Sequence, residues 1–342
     1  MKIALTGGGT AGHVTPHLAL LPELKKHFNS IIYIGSKTGI EKNIITAENI
    51  KYYSTTTTKF VRKHFFKNIT IPFKLIRAIK EAKHILKTEK PDVIFSKGGF
   101  VSLPTVIAGH KLHIPIVIHE SDLSIGLANK IASRYAKVVC TTFEKTASML
   151  KNGIYTGSPI RYNKYGFISH FDSHKPIITI TGGSSGAKAL NSIVHQSLED
   201  LCKKYNIIHI TGRGNSVNNK RDGYMQIEFT DSILSIFEQS HIVISRAGSN
   251  TIFELLNFGI PSILIPLPKG NSRGDQIDNA KYFEERGYAK VLSQDTLSPT
   301  TLMQSIAEIE TNYNQYKSKL KKAHLPDSTQ LILTEILKCI KR

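Results

Sequence analysis

His13 closes a turn of small residues, Gly7-Gly8-Gly9-Thr10-Ala11-Gly12, that follows directly on the apolar run Ile3-Ala4-Leu5. At the start of a helix that imidazole can act as a base or hydrogen-bond a diphosphate, while the backbone of Thr10, Ala11 and Gly12 approaches a reacting centre. A second turn, Gly182-Gly183-Ser184-Ser185-Gly186-Ala187, follows Ile177-Ile178-Thr179-Ile180. A strand that ends in glycines and passes straight into a helix aims backbone N–H groups and the helix dipole at one point, which suits phosphate. An ordinary tight strand–helix turn would also use these glycines, so one such turn is weak evidence. Two of them, about 175 residues apart, point to two Rossmann-like domains facing each other across a cleft.

Other polar clusters stand where apolar runs end. His119-Glu120-Ser121-Asp122 follows Ile114-Pro115-Ile116-Val117-Ile118, and ligands of open α/β sheets sit at strand C-termini. These side chains can hold sugar hydroxyls or take a proton; a loop capping the next helix through Asp122 or Ser124 fits equally well. Ser245-Arg246-Ala247-Gly248-Ser249-Asn250-Thr251 follows Ile242-Val243-Ile244 and opens a helix bearing Glu254. Glu254 can accept from two ribose hydroxyls, and its neighbours Phe253, Leu255 and Leu256 argue against a merely solvated carboxylate. Asp275 and Gln276 open a later helix with the inventory to read sugar hydroxyls, although Asp275 alone also fits a helix cap. No Asp-x-Asp pair stands at a strand end, and no His/Cys cluster has metal-ligand spacing. A leaving diphosphate would then be stabilised by helix dipoles and backbone N–H groups.

The elements that must position these groups alternate in the pattern of parallel α/β sheets. Strands are expected near 2–6, 31–35, 92–96, 115–119 and 137–141, with helices near 16–28, 71–88 and 102–110. The second half repeats the scheme, with strands near 177–181, 207–211, 241–245 and 262–265. Its helices are expected near 186–199, 231–239, 248–257 and 275–286. This divides the chain into domains 1–160 and 161–327, joined around Gly157-Ser158-Pro159-Ile160-Arg161 and a polar stretch over 162–175. A last helix, 328–342, is placed to pack back on the first domain. The 342 residues suffice for two cores. Apolar and charged contents of 40% and 21% are those of a globular protein. Cys140, Cys202 and Cys339 lack any CxxC spacing, which argues for a reducing cytosol and no disulfide framework. No signal peptide and no membrane-spanning run is expected. The net charge of +19 draws the chain toward polyanions: nucleic acid, an anionic membrane face or phosphorylated substrates.

Over essentially its whole length the chain resembles the MurG family of glycosyltransferases. The resemblance rests on Gly8-Gly9-Thr10-x-Gly12-His13, Gly98-Gly99-Phe100, His119-Glu120, Gly157-x-Pro159-x-Arg161, Gly182-Gly183-Ser184-x-Gly186-Ala187 and Asp275-Gln276…Asn279-Ala280, in that order. It implies a GT-B fold, with the donor UDP-GlcNAc in the C-terminal domain and the acceptor, lipid I, in the N-terminal one. Carried over residue by residue, Arg161 and Phe229 flank the uracil and the backbone near Thr230 reads its edge. Ser184, Gly248, Ser249 and Asn250 meet the diphosphate. Glu254 holds the ribose, Asp275 and Gln276 the GlcNAc hydroxyls, and Thr10, Ala11 and Gly12 close over the donor. Asp122 contacts the donor sugar or the acceptor. The reaction implied is inverting transfer of GlcNAc to the 4-hydroxyl of the muramyl sugar, giving lipid II for peptidoglycan, with His13 as first and Glu120 as second candidate base. No cofactor is implied, magnesium entering at most as a non-essential aid. The chain departs from the family at three places. Ala11 replaces a glycine, Ser121-Asp122 replaces Gln-Asn, and Asp275 replaces a glutamine, changes shared by a Gram-positive branch.

The charge acquires a meaning within this resemblance. Between Lys59 and Lys90 ten lysines and arginines stand against two glutamates. Ile69, Phe73 and Ile76 fall at helical spacing, bordered by Lys67, Lys74 and Arg77. An apolar strip with basic borders suits peripheral binding to the anionic cytoplasmic leaflet of the cell membrane; the same strip could instead face the domain core. Rival readings are a sugar-nucleotide epimerase, a lipid glycosyltransferase acting on diacylglycerol, and a nucleic-acid-binding protein. The last lacks any recognisable motif, so no nucleic-acid partner is expected.

Overall fold

The computed structural model describes residues 1–57, 70–161, 166–167, 169–171, 174–183, 186–270 and 273–340. The chain forms two compact units, Met1–Arg161 with Pro326–Arg342, and Tyr162–Leu325.

The first unit holds the strands β1 (Lys2–Thr6), β2 (Ser30–Ser36), β3 (Lys51–Thr55), β4 (Val93–Ser96), β5 (Ile116–Glu120), β6 (Val138–Thr141) and β7 (Gly153–Tyr155). All described pairings are parallel, in the order β3-β2-β1-β4-β5-β6-β7. Its helices are α1 (Thr15–His27), α2 (Ile40–Thr46), α3 (Ile71–Glu89), α4 (Leu103–Lys111), α5 (Leu127–Ala132) and α6 (Glu144–Ser148). The second unit repeats the plan with β8 (Ile177–Thr181), β9 (Asn206–Ile210), β10 (Tyr224–Ile227), β11 (Ile242–Ser245), β12 (Ser262–Leu264) and β13 (Ala289–Val291). Their order is β10-β9-β8-β11-β12-β13, again parallel. Its helices are α7 (Lys188–Lys204), α8 (Ile233–Glu238), α9 (Ser249–Phe258), α10 (Asp275–Glu285), α11 (Pro299–Thr311) and α12 (Tyr313–Lys321). The last helix, α13 (Ser328–Ile340), belongs to the first unit.

Strand residues alternate between two buried faces, which is why the strands read as continuous apolar runs. Ile3 and Leu5 join a core with Leu21, Leu24, Phe95 and the α13 residues Ile332, Leu333 and Ile336. Ala4 points the other way, toward Ile32, Ile94, Ala82, Leu86 and Val106. In the second unit Ile178, Ile180, Ile242 and Ile244 pack under Leu190, Val194 and Leu198 of α7 and Leu302 and Ile306 of α11.

Parallel pairing puts the C-terminal ends of all strands of a sheet on one edge. Strand order reverses between β1 and β4 in one unit and between β8 and β11 in the other. At such a switch point the loops diverge and leave a crevice. Both glycine turns, after β1 and after β8, open there.

Four strands escape a pattern reading. Tyr52 and Tyr53 of β3 and the whole of β10 are only partly buried, and β7 and β13 have three residues each. Helices α11 and α12 were also not expected, although Ser298 and Thr301 form a capping box with Pro299 in the first turn. The stretch over 162–175 is not simply a polar join, for Phe167 and Phe171 pack against Ile208, Ile210 and Ile236.

Candidate functional site

In the first unit the turn after β1 is built by buried groups beneath it. Tyr33 Oη donates to the Gly7 carbonyl (2.9 Å), and His17 Nε2 donates to the Thr6 carbonyl (3.2 Å). The buried Glu41 carboxylate accepts from Gly9 N (3.2 Å), from Ser36 N (3.1 Å) and from the Ser36 hydroxyl. A Cβ at Gly8, where φ is +153°, would collide with that carboxylate, so glycine is required. The Gly9 N–H is therefore already committed to Glu41. The turn presents Thr10, which is exposed, and the short 3-10 segment Ala11–His13. Thr10 Oγ1 and His13 Nδ1 lie 2.9 Å apart. The turn after β4 meets this one: a Cβ at Gly99, φ +80°, would overlap the Gly8 carbonyl and lie 3.5 Å from His13 Nδ1.

Glu120, at the end of β5, is buried, and its carboxylate accepts from Asp122 N (3.0 Å), Gly126 N (3.0 Å) and Asn129 Nδ2 (3.0 Å). It staples its own loop to the start of α5. The cap of α5 is Gly126, and neither Asp122 nor Ser124 caps it through a side chain. Beside Glu120 the buried Lys97 donates to His119 Nδ1 (2.6 Å) and Ser121 Oγ (2.6 Å), and His119 Nε2 donates to the Gly157 carbonyl (2.9 Å). A carbonyl only accepts, so His119 carries its proton on Nε2 and offers Nδ1 to the lysine. Burial holds the imidazole well below the usual histidine range, with Lys97 adding to the effect. Arg161 is paired with Glu48 (2.9 Å) in this unit.

In the second unit the β8 turn needs its glycines for close approach. A Cβ at Gly186, φ +70°, would overlap the Thr211 carbonyl, and one at Gly182 would press on Ala187 N. Ser184 lies outside the described residues. After β11, Gly248 caps α9 with open space where a side chain would be, so the N–H groups of Ser249 and Asn250 open that helix behind a bare backbone. One turn on, burial pushes the Glu254 carboxyl up to about 7. Asn279 Nδ2 donates to the Ala247 carbonyl (3.3 Å), tying α10 to the start of α9. Gly274, φ +92°, caps α10 without a side-chain bond, so Asp275 is a first-turn residue and not its cap; Arg273 stands 3.8 Å from it. Gln276 Oε1 accepts from Leu267 N (3.1 Å), which turns its amide toward the β12 loop. Phe229 is 41% exposed with the Arg213 guanidinium over its ring at 4.3 Å, a cation–π contact. Thr230 Oγ1 accepts from Ser232 N (2.9 Å).

Of the expected residues, Thr10, Ala11, Gly12 and His13 follow β1, Glu120 closes β5 and Asp122 follows it in the first unit, and in the second Gly248, Ser249, Asn250 and Glu254 follow β11 and Asp275 and Gln276 open α10. Phe229 and Thr230 follow β10, at the edge of the second sheet. Glu41, Lys97, Arg213 and Arg246 were missed. Glu41 and Lys97 are charged residues at buried positions, and a single charged letter beside a glycine turn gives no sign of burial.

The basic strip is partly described. Lys67 and Ile69 lie outside the described residues. On α3, Ala78, Ala82 and Leu86 face the core, whereas Phe73 and Ile76 are 74% and 53% exposed among exposed Lys74, Arg77 and Lys80. Phe73 and Ile76 therefore do not serve the core. Among the described residues, no helix is long and apolar enough to cross a membrane.

Residues 3–141 match the glycosyltransferase family 28 N-terminal domain, and residues 177–332 match the family 28 C-terminal domain. A Clostridium botulinum (strain Loch Maree / Type A3) protein is 46% identical over 349 residues, covering 98% of each chain. A Clostridium tetani (strain Massachusetts / E88) protein is 44% identical over 350 residues with the same coverage. Both are named UDP-N-acetylglucosamine--N-acetylmuramyl-(pentapeptide) pyrophosphoryl-undecaprenol N-acetylglucosamine transferase. The crystal structure of Acinetobacter baumannii MurG superposes with a TM-score of 0.78 at 27% identity, covering 98% of this chain and 99% of that one. Two Rossmann-type units of this topology make up the GT-B fold, and the chain belongs to glycosyltransferase family 28, among the MurG transferases.

Proposed function

We propose that this chain transfers GlcNAc from UDP-GlcNAc to the 4-hydroxyl of MurNAc in undecaprenyl-diphosphate-MurNAc-peptide, forming a β-1,4 link and releasing UDP. The observation that carries the reading is identity of 44–46% across 98% of the chain to transferases so named.

The second unit takes the donor. Glu254 receives the ribose hydroxyls, Phe229 flanks the uracil, and the backbone near Thr230 reads its edge. Asp275 and Gln276 read the sugar. The helix starts at α7 and α9, with Ser184, Gly248, Ser249 and Asn250, stabilise the leaving diphosphate through N–H groups and dipoles. The scheme requires no cofactor, magnesium entering at most as a non-essential aid.

The first unit takes the acceptor. His13 is the base: its imidazole, 2.9 Å from Thr10 Oγ1 at Nδ1, takes the proton of the attacking hydroxyl as the bond to C1 forms and the bond to the diphosphate oxygen breaks. Glu120, with three donors on its carboxylate, shapes the loop that carries Asp122. Lys67, Ile69, Phe73, Lys74, Ile76 and Arg77 bind the anionic cytoplasmic leaflet peripherally, where the lipid-linked acceptor resides, which places the enzyme in cell-wall synthesis and with it in cell shape and division.

The test is UDP release from UDP-GlcNAc with and without a short-chain lipid I analogue, with UDP-GalNAc as control donor. Release that requires the analogue and discriminates against GalNAc is expected. Release without acceptor would instead mark an epimerase-like or hydrolytic enzyme.

A further inference from the structure

The two units share a feature that no motif describes. In each, the strand across the switch point from the glycine turn is followed at once by a buried cation and then by small residues. These are Lys97-Gly98-Gly99 after β4 and Arg246-Ala247-Gly248 after β11. Lys97 is 1% and Arg246 8% exposed. Among the described residues the acceptors of both are neutral. Lys97 donates to His119 Nδ1 and Ser121 Oγ. Arg246 donates to the carbonyls of Ile265 (3.0 Å) and Pro266 (3.4 Å) and to Gln294 Oε1 (2.6 Å). Among the described residues neither has a carboxylate within ion-pairing distance. A buried cation left without an ion pair is costly. Its retention at equivalent points of two crevices argues for an anion that each crevice receives.

We propose that Lys97 is the charge-bearing positioning residue of the acceptor unit. Its ammonium, held under the β1/β4 crevice by His119 and Ser121, fixes the loop after β5 and supplies the field against which the acceptor's diphosphate settles. This rests on the reading above that the first unit takes a diphosphate-bearing acceptor. It adds a residue and a charge that the expected site did not contain. The two bonds of the amine span from the Ser121-Asp122 loop to His119, and His119 continues to Gly157, φ +75°, four residues before the unit boundary. Acceptor loop and terminal turn of the unit are thus braced through one nitrogen.

The brace is proton-dependent. Burial lowers the Lys97 ammonium to about 7, against the pull of Glu120, Asp122 and Cys140. The groups facing it are His17 of α1, His119, Glu120 and Asp122 at the end of β5, and Cys140 of β6. Burial keeps His17, at about 3, and His119 neutral, and it raises the Cys140 thiol far above neutrality. Lys97 is therefore the member that changes charge near neutral pH. An approaching diphosphate favours the ammonium, so binding takes up a proton above pH 7.

The experiment is calorimetry at pH 8, in two buffers of different ionisation enthalpy, with a short-chain lipid I analogue, whose diphosphate is doubly esterified and does not titrate there. Full-length wild type and Lys97→Met, which keeps the volume, are compared. Wild type is expected to take up a fraction of a proton. Lys97→Met is expected to take up none and to bind the analogue about tenfold more weakly, with UDP-GlcNAc affinity within twofold. In kinetics the wild-type kcat/KM for acceptor falls as pH rises above 7, and the variant loses that limb. If Lys97→Met does not fold, Ser121→Ala, which frees one bond of the amine, is expected to raise KM for acceptor and shift the same limb. Transfer by wild type with no proton uptake, or uptake unchanged in Lys97→Met, overturns the proposal and leaves the transferase reading standing. Absence of both binding and transfer in wild type overturns the two together.

Discussion

At the scale of single residues the decisive chemistry is that of groups whose surroundings disagree with their type. Glu254 is a carboxyl raised by burial from 4.5 to about 7. The folded group holds its proton where the unfolded one has lost it, so its contribution to stability falls as pH rises from about 4.5 through 7. In the ribose site proposed for Glu254, donor binding runs the other way, because the ionised carboxylate is the better acceptor for two hydroxyls. UDP-GlcNAc affinity is expected to rise with pH through 7, and Glu254→Gln to flatten that dependence; a wild-type affinity independent of pH between 5.5 and 8 would remove Glu254 from the ribose site. His13 makes a sharper claim. His13→Ala should lower kcat about 100-fold or more while calorimetry finds UDP-GlcNAc affinity little changed. A dominant loss of binding would make His13 a substrate-positioning group.

At the scale of elements, the turns depend on close backbone approach. Gly186 has φ +70°, and a Cβ there would overlap the Thr211 carbonyl, so the β8–α7 turn cannot accept even a methyl without moving. Gly186→Ala should destabilise the protein by about 1–3 kcal/mol and, on the donor site proposed above, abolish UDP-GlcNAc binding, because the start of α7 would be displaced. Denaturant midpoints with calorimetry would show it; unchanged donor affinity would mean that the α7 start is not part of the donor site. Much of this level was legible beforehand. Helices α3 and α10 begin at the expected residues because Pro72 and Gly274 mark their starts. The missed β3, β7, β10 and β13 are short or half-buried, and such strands are recognised only by the partner strand that pairs with them.

At the scale of the molecule, a net charge of +19 and an exposed Phe73 and Ile76 among lysines and arginines combine two weak membrane signals. Each basic residue near an anionic surface contributes roughly 1 kcal/mol, screened by salt, and two partly inserted apolar side chains add the part that salt does not remove. Phe73→Ser with Ile76→Ser should weaken binding to phosphatidylglycerol vesicles about tenfold or more. Raising salt should release the wild type from those vesicles, with neutral vesicles binding little. Vesicle sedimentation would decide it. Binding equal for the double variant and wild type would leave charge alone as the attachment.

The linear chain by itself determined the two-unit α/β plan, the glycine turns and the polar clusters after β5, after β11 and at the start of α10, because these depend on local rules: apolar runs, glycine at strand ends, polar residues where runs stop. Burial is different. No local pattern singles out Lys97 or Glu41, and Arg246 reads as part of a helix-start motif. Only when β1 lies beside β4, β8 beside β11, and α2 beneath the first turn do they become enclosed groups with fixed partners. Phe73 and Ile76 show the converse, apolar letters that the packing of Ala78, Ala82 and Leu86 leaves in solvent. Desolvation and partnership arise from strands brought together across up to 90 residues, and no window of neighbouring letters contains them.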